Sequence, residues 1–85
     1  MQKRHRRTLS ALFRRPTATD VAWRDVMSLI VALGGEVRSR SGSVRALSLQ
    51  GRDLIVHEPH PSGLLPRALV LRLRRFLLEG GIEPK

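Results

Sequence analysis

Apolar residues recur every three to four positions in three parts of the chain, the spacing of helices with one buried face. They stand at positions 9, 12 and 13, at 23, 26, 27, 30 and 33, and at 65, 69, 73, 76 and 77. Pro16 follows the first group, and Gly-Gly pairs follow the other two; these residues commonly end helices. We therefore predict a short helix at 8–13, a core helix at 23–33 and a last helix at 65–79.

Between residues 36 and 57 the apolar runs are short and separated by turn residues. Ser41-Gly42 and Gln50-Gly51 divide this stretch into runs at 36–40, 43–49 and 52–57. Short breaks of this kind join antiparallel strands. The pattern predicts a two-layer α+β fold, with helices on one face of a three-stranded antiparallel sheet. Double-stranded RNA-binding domains have the same helix-β-β-β-helix order and recognise the shape of duplex RNA.

The composition indicates one small domain. The 85 residues leave no room for a second core, and we expect a basic helical arm at 1–16 followed by a single domain at 17–85. Cysteine is absent, so a cytoplasmic location is expected. The longest apolar run is far below the ~20 residues that cross a bilayer, and no membrane partner is expected.

The net charge of +9 is unevenly distributed. Residues 1–15 hold six Lys and Arg but no acid, and the last helix carries Arg67, Arg72, Arg74 and Arg75 on its polar face. Arginine can bind phosphate through two hydrogen bonds at once. Nucleic acid is therefore the leading partner class, although an acidic protein partner or an arginine bias without function fits the same composition.

Two of the three histidines lie in His57-Glu58-Pro59-His60-Pro61, after the third predicted strand. Histidine can take and give protons near neutral pH, and cleavage of RNA through its 2′-hydroxyl needs both a base and an acid. The segment also fits a simple strand end, because its prolines prevent regular pairing. No metal site is expected, since those prolines oppose convergence of the three ionisable side chains.

Seven segments spread over nearly the whole chain carry a family resemblance. They are Lys3-Arg4-His5-Arg6-Arg7-Thr8-Leu9, Ala11-Leu12-Phe13, Trp23-Arg24-Asp25-Val26, Ala32-Leu33-Gly34-Gly35-Glu36-Val37, Gly42-Ser43, His57-Glu58-Pro59-His60-Pro61 and Arg75-Phe76-Leu77. In order and spacing they resemble the HicA toxin family. The resemblance implies a fold similar to double-stranded RNA-binding domains, and a type II toxin that cleaves mRNA without a cofactor and inhibits bacterial growth. It also implies a HicB-type antitoxin, encoded by an adjacent gene, as the partner.

One position departs from the family that the chain resembles. Many members have Gly-Ser-His at the start of the second strand, and that histidine is catalytic, whereas Val44 follows Gly42-Ser43 here. Valine cannot exchange a proton. Either His60 and His57 are the catalytic residues, or the chain is an inactive protein of the same fold that binds RNA or the antitoxin.

Further residues are candidates for RNA binding. Arg45 follows the altered position and is expected to stabilise charge developing on phosphorus, although an exposed strand charge is the alternative. Ser43 is a weaker candidate. The N-terminal cations are expected to neutralise phosphates without reading sequence, or to form a flexible tail; they are Lys3, Arg4, Arg6 and Arg7.

Overall fold

A computed structural model of the protein describes residues 1–60 and 62–84. Within them the chain forms three helices and one antiparallel sheet of order β1-β2-β3. The elements are α1 (Lys3–Leu12), α2 (Trp23–Ala32), β1 (Glu36–Ser39), β2 (Val44–Leu49), β3 (Arg52–His57) and α3 (Arg67–Glu79). The predicted α+β class and the order of the elements are confirmed. No helix in the described residues has the length and apolar character needed to cross a bilayer.

Side-chain alternation divides the sheet into two faces. Leu47, Leu49 and Val56 are buried in the same core as the helices. The opposite side, the open face, holds residues that alternate with them, and Ile55 there is 44% exposed. The open face comprises Glu36, Arg38, Val44, Ala46, Ser48, Asp53, Ile55 and His57.

The β2–β3 turn determines which residues face each other across these strands. Leu49 pairs with Arg52, so only Gln50 and Gly51 form the loop. Both have positive φ, 54° and 72°, as a type I′ hairpin turn requires. The resulting register places Val44 opposite His57. Against the predicted bounds, β1 ends one residue earlier and β2 begins one residue later.

Gly35 allows the end of α2 to approach the sheet. A Cβ at this position would overlap the carbonyl oxygen of Ser48 on β2 and lie 2.9 Å from Ile30 Cγ2. Gly35, the second glycine of the pair predicted to stop the helix, therefore also permits the chain that leaves α2 to lie against β2.

The first helix is longer and more deeply packed than its short apolar pattern predicts. It begins at Lys3 rather than at residue 8, and its buried side consists of His5, Leu9 and Leu12. Leu9 and Leu12 join the common core, as do Ala18 and Val21 of the following segment. The core therefore extends across the boundary expected at residue 16.

All five apolar positions predicted for the inner side of the last helix are buried, at 65, 69, 73, 76 and 77. It begins at Arg67 rather than at 65, because Pro66 has extended backbone angles and occupies the N-cap. The segments that lead into α2 and α3 are joined by hydrogen bonds from Trp23 N to Gly63 O and from Leu65 N to Val21 O.

Candidate active site

His57 lies at the end of β3 on the open face, where it is exposed. The next backbone amide, Glu58 N, donates to Ser43 O at 2.9 Å. Hydrogen-bonded and non-hydrogen-bonded pairs alternate along antiparallel strands, so Val44 and His57 form a non-hydrogen-bonded pair. Their Cα atoms are therefore about 4.5 Å apart, with both side chains on one face.

The β1–β2 loop places a hydroxyl beside the His57 ring. Ser43 Oγ lies 3.4 Å from His57 Nδ1, a long contact that nevertheless favours one orientation of the imidazole. Within the described residues, Nε2 has no hydrogen-bond partner in the protein. The outer nitrogen is thus available to a ligand on the open face.

Arg45 holds this loop in place. Its Nη1 donates to Gly42 O and to Val44 O at 3.0 Å each, and its Nη2 lies 3.1 Å from Glu58 Oε1. The side chains of Arg45 and Glu58 are only 20% and 27% exposed. Direct contact of Arg45 with a phosphate, as predicted, requires the guanidinium to exchange some of these contacts. As the structure stands, Arg45 connects the Ser43 loop to the residue that follows His57.

His60 is not joined to this group by any hydrogen bond in the described part of the chain. It is exposed three residues beyond His57, and the next residue, Pro61, lies outside the described residues. The structure therefore brings Ser43 to the His57 ring and joins Arg45 to Glu58. Arg45 pairs with Val56, so it belongs to the core-facing side of the sheet rather than to the open face. The second predicted catalytic histidine is apart from both contacts.

The rest of the open face is polar at its periphery and apolar at its centre. Arg38 donates to Glu36 at 2.8 Å, and this hydrogen bond, more than the charge of Glu36, raises the pKa of the Arg38 guanidinium above its ordinary value. Ser48 donates to Asp53 at 2.7 Å. Among the described residues, His57 is the one imidazole on the open face.

The predicted phosphate-binding residues of the N-terminal segment lie in the helical layer. Lys3, Arg4, Arg6 and Arg7 are all exposed on α1, which packs on α2 and α3. His57 projects from the opposite side of the sheet. Because the molecule measures 35 × 28 × 21 Å, an RNA that touches both regions must pass around its edge.

Two polar residues are buried that the sequence pattern did not single out. His5 is 7% exposed, and both ring nitrogens are buried without a hydrogen-bond partner among the described residues. Its signal was the spacing of His5, Leu9 and Leu12, which lie on one side of a helix. Arg74, predicted on the polar face of α3, is instead 8% exposed and donates to Leu12 O and Arg14 O at 2.7 and 3.1 Å.

No group of three or more metal-ligating side chains is placed to hold an ion in residues 1–60 and 62–84. The chain matches no protein-family model, no curated protein and no solved structure. The chemistry of the open face therefore has to be judged from its own residues.

Proposed function

We propose that the protein is a metal-independent endoribonuclease with a fold like double-stranded RNA-binding domains, acting as the toxin of a bacterial type II toxin–antitoxin pair. The observation that carries the proposal is the pairing of Val44 with His57 across β2 and β3. The HicA resemblance assigns a catalytic histidine to position 44. Since Cβ atoms of such partners lie about 5 Å apart, His57 presents an imidazole to the same part of the surface.

The proposed reaction needs one group to remove a proton and one to supply a proton. A base takes the proton of a 2′-hydroxyl, the 2′-oxygen attacks phosphorus, and the bond to the 5′-oxygen breaks as an acid protonates it. The products are a 2′,3′-cyclic phosphate and a 5′-hydroxyl. His57 Nε2 performs one transfer while Ser43 orients the ring through Nδ1, and exposed His60 or water performs the other.

The direct test uses end-labelled RNA with the full-length protein in excess chelator. We expect fragments that end in a cyclic phosphate, and a rate that falls about 100-fold or more in His57→Ala, the usual contribution of a general acid or base. Ile55→Ala is the matched control, because Ile55 is exposed on the same face of β3. Equal rates for the wild type and His57→Ala would contradict the assignment of the site.

A relocation experiment tests the pairing itself. In the His57→Ala background, Val44→His returns an imidazole to the same face from the neighbouring strand, and part of the cleavage activity should return. Val44→Leu in that background is the control, as it changes size without adding a proton carrier. No recovery with histidine, in a folded protein, would show that positions 44 and 57 do not serve the same substrate atoms.

A second candidate function is RNA or antitoxin binding without cleavage. It is favoured by the absence of any hydrogen bond between His60 and the His57 group in the described residues, which leaves one imidazole at the site. RNA that is retarded on a gel yet remains intact would support this candidate against the first. For the toxin proposal, we expect growth arrest on expression in the bacterial cytoplasm, relieved by a HicB-type antitoxin expressed from the adjacent gene.

A further inference from the structure

Three arginines from two distant parts of the chain line one cleft beside α3. The cleft has a volume of about 330 Å³ and is bounded by Arg15, Pro16, Thr17, Arg67, Leu71 and Arg74. Arg67, Leu71 and Arg74 follow each other at i, i+4 and i+7, so they form one stripe along α3. No acidic side chain belongs to this lining, as far as the described residues show.

Arg74 makes this cleft more than a group of surface charges. It is a buried cation whose hydrogen bonds go to carbonyl oxygens rather than to a carboxylate. The negative end of the α1 dipole, at Leu12, offsets part of its charge, but buried charges are ordinarily paired with an opposite charge. An anion in the cleft would supply that pairing.

The contacts of Arg74 also determine which of its nitrogen atoms remains free to bind an anion. Its Nε and Nη2 are used by Leu12 O and Arg14 O. Nη1 has no partner among the described residues and is not one of the fully buried unpartnered atoms, so it reaches the solvent of the cleft. The bond to Arg14 O also attaches the chain next to Arg15 to α3, which holds Arg15 and Arg67 on the same cleft.

We infer that this cleft is a phosphate-binding site, separate from the open face. Several guanidinium groups around one concavity, with a threonine hydroxyl at its border, are the donors that a tetrahedral oxyanion accepts. The phosphate group belongs either to a nucleic acid backbone or to a small phosphorylated molecule. The cleft lies away from the open face: the Arg74 side of α3 borders α1, whereas Arg72, on the other side of the helix, contacts Ile55 O of β3. Phosphate binding in the cleft therefore does not depend on RNA cleavage at His57.

The test follows the side-chain Nε–H signals of the arginines by NMR while inorganic phosphate is added to the full-length protein at constant ionic strength. We expect saturable shifts of Arg15, Arg67 and Arg74, and affinity about tenfold weaker in Arg67→Gln or Arg15→Gln, the effect of losing a hydrogen bond to a charged group. Arg75→Gln is the matched control: it removes the same charge from α3, and its partner Glu79 keeps Arg52. Arg74 stays unchanged because it supports the fold.

Two outcomes would overturn the inference: equal loss of affinity in Arg67→Gln and Arg75→Gln, or identical shifts produced by chloride. Either one would indicate general screening of a basic surface. Competition between phosphate and an uncleavable 2′-O-methyl RNA would identify backbone phosphate as the source, and absence of competition would identify a small phosphorylated ligand. Both results support a phosphate site, and each remains measurable if the protein cleaves no RNA.

Discussion

His5 and Arg74 are the two buried polar side chains in the described part of the chain. Arg74 has hydrogen-bond partners within the protein, whereas His5 has none. Arg74 donates to two carbonyl oxygens that would otherwise lack partners near the end of α1. His5 lies on α1, and neither of its ring nitrogens has a hydrogen-bond partner among the described residues. An unsatisfied buried polar group costs about 1–3 kcal/mol, so we expect His5 to lower the stability of the protein.

Replacing His5 by an apolar residue of similar shape is therefore expected to stabilise the protein. We predict that His5→Phe raises the free energy of unfolding by about 1 kcal/mol, because it removes the unpaired nitrogens and keeps a planar aromatic ring at this position. Urea denaturation measures the change. His60→Phe is the control, since His60 is exposed and its replacement should change stability by less than about 0.5 kcal/mol. Lower stability of His5→Phe would show that the imidazole has a partner in solution, such as a bound water.

At the scale of elements, the connection between α2 and β1 makes the tightest approach of a described glycine to its surroundings, where Gly35 lies against Ser48 O of β2. Gly35 does not have the positive φ that excludes side chains, so the restriction there is one of space alone. Overpacking of this kind typically costs about 1–3 kcal/mol. This contact lies directly before β1, where Glu36 pairs with Ser48 of β2, so a side chain at position 35 would disturb the start of that pairing.

Gly35→Ala is expected to destabilise the protein by about 1–3 kcal/mol, measured by thermal or urea unfolding. Gly80→Ala serves as the comparison, because an added Cβ there meets its nearest atom at 3.5 Å, an ordinary contact, and the backbone φ is −88°. That change should be neutral or slightly stabilising, since alanine restricts the unfolded chain. Similar losses at both positions would mean that backbone freedom, rather than space, is what Gly35 provides.

The elements were predictable because their signals are local. Helical periodicity, strand alternation and the glycine-containing turns each occupy a few adjacent residues, and the predicted strands agree with the structure to within one residue at either end. The start of α1 was missed because Lys3, Arg4, Arg6 and Arg7 conceal the apolar stripe that His5 begins. Arg74 and the Arg45–Glu58 pair were missed for another reason: their partners are set by tertiary structure, and one is a carbonyl 62 residues away.

On the scale of the whole molecule, two groups of positive charge lie apart from His57. The N-terminal cations and the arginine cleft lie with the helices, whereas His57 lies on the far side of the sheet. Charge in the helical layer can raise the affinity for a polyanion without contacting the bond that is cut. Affinity and cleavage should therefore respond to different substitutions, and α1 should serve the fold as well as the charge.

These two roles of α1 can be separated experimentally. Arg4→Gln with Arg7→Gln removes two exposed charges and leaves Leu9 and Leu12 buried, so we expect unchanged thermal unfolding and weaker RNA binding. Removing one arginine–phosphate interaction should reduce the slope of log affinity against log salt by about 0.7 for single-stranded RNA.

Leu9→Ala with Leu12→Ala leaves every charge in place but removes buried side chains, and a decrease in stability of about 2–5 kcal/mol per site should unfold much of so small a protein. If the leucine variant is as stable as the wild type, α1 does not contribute to the core and acts only through its charge.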